Sequence, residues 1–225
     1  MAPRDDPSGA ERGVESLRAE VEERKQRRTE ATRRALMDAA RTVLRDGGYA
    51  RATVARITRE AGRAHGTFYL YFQNKKDIYS QLLEDMWADL KEQSRSVWRA
   101  DNPLDSVRVT VARYVSAFAY NVDLWRLLEE MSVTDPGFNL IRDQTRQEFA
   151  RKIRRGIESS REYADIEDLD TELLAELLAG MVDEACAVRY LHGRSWPEEE
   201  MVNHIVTVWG RAIGYDTAAI PPAVR

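Results

Sequence analysis

The chain has 225 residues, 43 % of them hydrophobic and 32 % charged, with a formal net charge of −4. That length holds one domain or a small one joined to a larger one, at about 100–200 residues each, and the composition is that of an ordinary globular chain. The longest stretch free of Asp, Glu, Lys and Arg, 64–74, falls short of the roughly 18 apolar residues of a membrane span. MAPRDDPSGAERG lacks the apolar core of a secretory signal, and the single Cys186 excludes a disulfide framework or a multi-Cys metal site within one chain. A cytoplasmic protein without a membrane partner is expected.

The net charge conceals an asymmetry. Residues 24–76 hold 14 Lys and Arg against 4 Asp and Glu, a balance of +10 that leaves −14 for the rest of the chain. A basic block on an acidic body fits a polyanion partner at one end, and equally fits a solvated helix face.

In chain order, Pro3, Pro7, Gly9 and Gly13 among charges give residues 1–13 the composition of a disordered arm. Val14, Leu17 and Val21 then fall at helical intervals, as an extension of the next helix or a transient one. A helix over 29–46 buries Ala35, Leu36, Ala39, Ala40, Val43 and Leu44, and Gly47-Gly48 ends it. Thr53 caps a two-turn helix carrying Val54, Ile57 and Ala61, stopped by Gly62. A short helix from His65 carries Phe68 and Phe72 on one face. Asn74, with Asp77 three residues on, opens a helix expected to reach Trp98. Asn102-Pro103 opens another, to Asn121. Residues 123–133 form a shorter helix, and Asp135-Pro136-Gly137 reads as a turn. A helix over 138–162 is basic along its middle. The acidic connector 163–170 precedes two apolar helices, 171–192 and 197–213. No alternating strand pattern or repeat is found. The expected fold is all-α with about nine helices: an arm over 1–24, disordered or partly helical, a three-helix domain over 25–75, and a six-helix body over 76–225.

TVARITREAG, RAHG and TFYLYF form a helix, a tight turn and a second short helix, an arrangement able to lay the second helix in a major groove. Ile57, Ala61, Phe68 and Phe72 can share a small core, which leaves His65, Gly66, Thr67 and Tyr69 near the outer side. Gly66 allows close backbone approach, the Thr and Tyr hydroxyls suit phosphate oxygens, and Lys75 lies at a helix start that favours an anion.

Ala52 to Tyr79 resembles the DNA-binding signature of the tetracycline-repressor (TetR) family. The resemblance rests on Thr53, Ile57, Ala61-Gly62, Gly66-Thr67-Phe68-Tyr69, Phe72, Lys75 and Ile78, with Ala39-Ala40 and Gly47-Gly48-Tyr49 before them. It covers about 50 residues; the rest matches only as a long helical region. It implies a homodimer on a palindromic double-stranded DNA operator, and a small-molecule effector in a C-terminal ligand-binding and dimerisation domain. It maps operator contacts onto Thr53, His65, Gly66, Thr67, Tyr69, Tyr71 and Lys75. Two residues depart from the family pattern. Arg63 replaces a frequent buried Val and is free to reach a phosphate. Ala64 replaces a frequent Ser and cannot cap the recognition helix, a loss of typically ~1 kcal/mol.

Other chemistry is sparse. His65, His192 and His204 have no metal-ligand spacing, and the run Asp165 to Asp170 lacks the glycine of a calcium loop. Cys186 sits among apolar residues, either as packing or as a thiol sensor. With no nucleophile motif, phosphate loop or paired carboxylates, neither an enzyme nor a cofactor is expected.

Trp87, Trp98, Tyr114, Phe118, Tyr120, Trp125, Phe138, Phe149 and Tyr190 are core or the lining of a cavity between helices. Under the resemblance, Trp87, Tyr114, Phe118, Trp125, Phe138 and Tyr190 are assigned to a pocket for a lipophilic or aromatic compound. The last two helices are apolar on more than one face. Leu178, Val182, Ala185, Ile205 and Trp209 are either a two-fold dimer interface or monomer core. Two function classes follow: a ligand-responsive DNA-binding regulator, expected to be a repressor, and a helical ligand-binding or adaptor protein whose basic end takes another anionic partner.

Overall fold

The computed structural model describes residues 7–93, 99, 102–159 and 170–214, and among these every regular element is helical. The chain divides into two compact units, Met1–Tyr79 and Ser80–Arg225. The acidic connector expected over 163–170, apart from its last residue, and Trp98 with the expected end of its helix lie outside the described residues.

In the first unit α1 spans Pro7–Arg51 and is interrupted at Gly48, whose φ of 68° and ψ of 173° are not helical. The helix begins well before residue 29. Pro7 sits at the start, where its missing N–H costs nothing, and the segment after it is rich in helix-forming Glu, Arg and Ala. Residues 15–31 are exposed along their length and carry ion pairs one turn apart, Arg27–Glu23 and Lys25–Glu22. Burial begins at Thr32 and follows the apolar stripe through Leu36, Ala40 and Val43.

Thr53 caps α2 (Val54–Glu60), accepting from the Arg56 N–H at 3.2 Å. The helix α3 (His65–Phe68) is a single turn; α4 runs Lys75–Gln93. The start of α4 is a reciprocal cap. Asn74 Oδ1 accepts from the Asp77 N–H at 3.1 Å, and the Asp77 carboxylate reaches back to the Gln73 N–H at 2.8 Å.

The body adds α5 (Pro103–Tyr120), α6 (Val122–Ser132), α7 (Pro136–Ser159), α8 (Thr171–Cys186) and α9 (Glu198–Ala212). Asp135-Pro136-Gly137 is not a free turn but the opening of α7: Asp135 accepts from the Gly137 N–H at 2.8 Å, with Pro136 at the first helical position. The helix expected to reach residue 192 leaves α geometry after Cys186 and continues as a π-helical turn, Ala187–Leu191. α7 packs on α6 and α8, and α5 on α8 and α9.

Gly48 is a backbone constraint. A Cβ there would meet nothing within 4 Å, so the cost of a side chain is conformational alone. Gly48→Ala is expected to destabilise the fold by about 1–3 kcal/mol, measured as a lower midpoint in urea unfolding; an unchanged midpoint would refute the assignment.

Candidate functional site

The helix-turn-helix is built on three buried apolar side chains. Ile57, Phe68 and Phe72 are all but fully buried, and the two Phe rings meet with centroids 5.4 Å apart. α2 closes where Gly62 takes a left-handed φ of 61°, which lets the Arg63 N–H reach the Thr58 carbonyl at 2.9 Å. Ala64 begins α3 with no side-chain cap.

With Phe68 turned inward, the opposite side of α3 is free. Arg63, Ala64, His65, Gly66 and Tyr69 are exposed, while Thr53 is exposed at the head of α2. Thr67 and Tyr71 are half-buried. The His65 and Tyr69 rings lie 5.5 Å apart, so the two form one surface. Leu70, 79 % exposed, adds an apolar residue beside them that the sequence pattern did not single out. Gly66 has an ordinary helical φ, and a Cβ on it would meet nothing within 4 Å. The fold itself therefore does not need glycine there.

Lys75 is engaged inside the unit. Its Nζ donates to the Tyr49 carbonyl at 3.0 Å and sits 4.2 Å from the centre of the Tyr49 ring. The neighbouring Tyr79, fully buried, donates its hydroxyl to the Ala40 carbonyl at 2.9 Å and meets Tyr49 edge-on. Lys75 thus holds the start of α4 to the end of α1, a role sequence position alone does not distinguish from a phosphate contact.

The second unit contains a cavity of about 970 Å³, within the ~300–1,000 Å³ common for ligand sites. It is bounded by α4, α5 and α7, with Trp209 of α9. Trp87, Tyr114, Phe149, Ile153 and Trp209 supply apolar wall. The Tyr114 and Phe149 rings stack at 4.2 Å. The indole N–H groups of Trp87 and Trp209 find no acceptor among the described residues.

Of the six aromatic residues assigned to a pocket, Trp87 and Tyr114 line this cavity, and Phe118, Trp125, Phe138 and Tyr190 do not. Phe118 stacks on Trp125 at 4.5 Å, Phe138 is fully buried, and Tyr190 donates to Glu198 at 2.6 Å beyond the π-helical turn. Phe149, read from the sequence as core or cavity lining but not among those six, lines the cavity, and so do polar residues of α7 that sequence reasoning missed. The signal was present as a stripe at three- and four-residue spacing: Ile141, Gln144, Thr145, Glu148, Phe149, Lys152.

The assigned dimer residues need correction. Leu178, Val182, Ile205 and Trp209 are buried within the unit itself, Trp209 against the cavity; Ala185 is half-buried. The exposed apolar positions on the same helices are Leu173 and Leu177 on α8 and Val208 on α9. Cys186 is fully buried, and burial, with Asp183 nearby, pushes its thiol up out of the reactive range, as packing requires.

Tyr114 also donates to the carboxylate of Asp183. Burial raises the Asp183 carboxyl above its ordinary range, opposed by the Tyr114 hydroxyl and by Arg146 and Arg142.

Residues 36–82 match the family described as bacterial regulatory proteins, tetR family. Over 67 residues the chain is 40 % identical to the fatty acid metabolism regulator protein of Bacillus subtilis (strain 168), a match covering 26 % of this chain and 34 % of that one. It is 26 % identical over 183 residues to the uncharacterized HTH-type transcriptional regulator YdgC of the same organism, across 78 % of this chain and 91 % of that one. Among solved structures, the fatty acid degradation regulator FadR from Bacillus halodurans shares the fold with a TM-score of 0.63 at 19 % identity, over 79 % of this chain and 94 % of that one. A putative transcriptional regulator from Saccharomonospora viridis, in complex with choline, does so with 0.62 at 16 %, over 78 % and 94 %. The helix-turn-helix unit thus defines a DNA-binding transcriptional regulator. Residues 36–82 carry the DNA-binding region of the tetR family of bacterial regulatory proteins, and the chain is a transcriptional regulator of that type.

Two measurements separate these roles. Lys75→Met keeps the side-chain stem and removes the bond to Tyr49; it is expected to lower unfolding stability by about 1 kcal/mol, whereas a lysine serving DNA alone would leave stability unchanged. For Asp183 the folded pKa lies above the unfolded one, so the folded state binds more protons. The stability tied to this group is greatest toward the ordinary carboxylate range and is lost as pH rises through the folded value. The melting temperature of Asp183→Asn relative to wild type is therefore expected to climb as pH rises from the ordinary carboxylate range through the folded value; a constant difference would overturn the assignment.

Proposed function

We propose that this chain is a ligand-responsive repressor that binds a palindromic operator as a homodimer and is released by a lipophilic or aromatic effector held in the cavity of the body. The observation that carries the DNA side is the free face of α3 above its buried Phe68. His65 and Thr67, at the start of the helix that enters the major groove, read base edges. Thr53, Arg63, Tyr69 and Tyr71 contact the phosphate backbone. Gly66 lets the backbone approach the duplex, and Lys75 holds the helix pair in place while adding positive charge. Leu173, Leu177 and Val208, with Ala185 beside them, are the surface offered to a second copy.

The effector side is supported by the cavity and by relatives named for fatty acid metabolism and degradation. Carried to this chain, they point to an acyl compound. α4 carries both Lys75, at its first residue, and the cavity residues Trp87, Ala88 and Lys91, so a ligand that shifts this helix acts on an element the DNA-binding unit uses.

Gly66→Ala tests the DNA side, because the fold has room for the methyl group. Alanine in place of glycine in a helix adds roughly 0.5–1 kcal/mol of stability. The variant should therefore melt no lower than wild type, yet lose affinity for DNA from the region upstream of its own gene, read by fluorescence anisotropy against scrambled duplex. Unchanged affinity would sink the docking. The effector side is tested by titrating compounds that raise the melting temperature against the protein–operator complex. Full release needs a preference of about 10⁴-fold for one state, and tight binders that all leave operator affinity unchanged would refute release.

A further inference from the structure

The cavity lining is not uniformly apolar. α7 contributes residues from Ile141 to Ser159, a face ~27 Å long at 1.5 Å per residue. Its first half brings no cation to the wall; its second brings Lys152 and Arg155, with Ser159 at the end. α4 adds Lys91 and α5 adds Arg113, so four cations line the cavity against two carboxylates, Glu84 and Glu148. One of these carboxylates is already engaged: Glu148 accepts from Arg151 at 2.6 and 3.2 Å.

We infer that the cavity takes an amphiphilic anion, its carboxylate or phosphate head seated by Lys91, Lys152 and Arg155 and its apolar part against Trp87, Phe149 and Trp209. This rests on the effector reading above and gives it a chemical class. Lys152 is half-buried, and burial lowers its pKa, with the charges of Lys91 and Arg155 adding to the effect and Glu148 opposing it. Holding like charges together at a partly desolvated wall is unfavourable, and an anion bound among them reverses the sign of that interaction. The arrangement also stands in an otherwise acidic body, so the cavity is a local exception in sign. The length of the lined face suits an extended tail better than a compact aromatic compound.

The test compares three probes of one chain length, dodecanol, dodecanoate and dodecyl phosphate, by quenching of tryptophan fluorescence, since Trp87 and Trp209 line the cavity. Wild type is expected to bind at least one of the anions about tenfold or more tighter than the alcohol, the scale of one charge-assisted hydrogen bond. The stronger of the two identifies the head group. The double variant Lys91→Met and Lys152→Met should lose that preference while keeping its affinity for dodecanol. Lys152→Gln should lose part of it, and Arg126→Gln, outside the cavity, should keep it. Melting curves confirm that each variant is folded. Equal binding of alcohol and both anions, or a preference that survives the double variant, would overturn the anionic head while leaving the cavity as an effector site. If none of the three binds, both readings fall.

Discussion

The DNA-binding unit depends on how the first residues of α4 are fastened to α1. α2 and α3 span seven and four residues, too short to persist alone when isolated helices below about 12–15 residues are marginal. Their geometry comes from what they are packed into. Tyr79 is buried whole with its hydroxyl on the Ala40 carbonyl, and Lys75 reaches the Tyr49 carbonyl near the end of α1. Both acceptors are main-chain oxygens, so each side-chain donor is fastened to the backbone of α1 rather than to another mobile side chain. A buried tyrosine hydroxyl without that acceptor would leave an expensive unsatisfied group. The arrangement is therefore specific as well as stabilising.

The two glycines that matter most act in opposite ways. Gly48 holds a conformation that other residues reach only with strain, at the break that turns the chain from α1 toward α2. Gly66 holds an ordinary helical conformation in open space. The first is explained wholly by the fold. The second is not, and the close approach of DNA proposed above would account for it.

In the body, α7 serves two masters. α7 packs on α6 and α8 and buries Phe138 and Ile157, and it also presents a mixed stripe to the cavity. A helix built only for burial would not carry Lys152 and Glu148 on a wall shared with Phe149. The mixture also explains why the helix looked merely basic in the sequence.

What the sequence determined was whatever is local in cause. The periods of three and four residues, the caps at Thr53, Asn74 and Asn102, and the spacing of Phe68 and Phe72 set the helices and the helix-turn-helix, because each rests on neighbours within a turn or two. The free face of α3 followed from the same periodicity. Only the tertiary structure decided which apolar residues face which neighbour. Leu178, Val182 and Trp209 have the composition of an interface and of a core alike, and the packing of α5, α7, α8 and α9 placed them in the core. It likewise drew Phe118 and Trp125 into a stack away from the cavity, brought Lys91 and Lys152 to a common wall from distant positions in the sequence, and turned Lys75 toward Tyr49. Burial, charge convergence and cavity shape are properties of surfaces meeting in space, and no single helix encodes them.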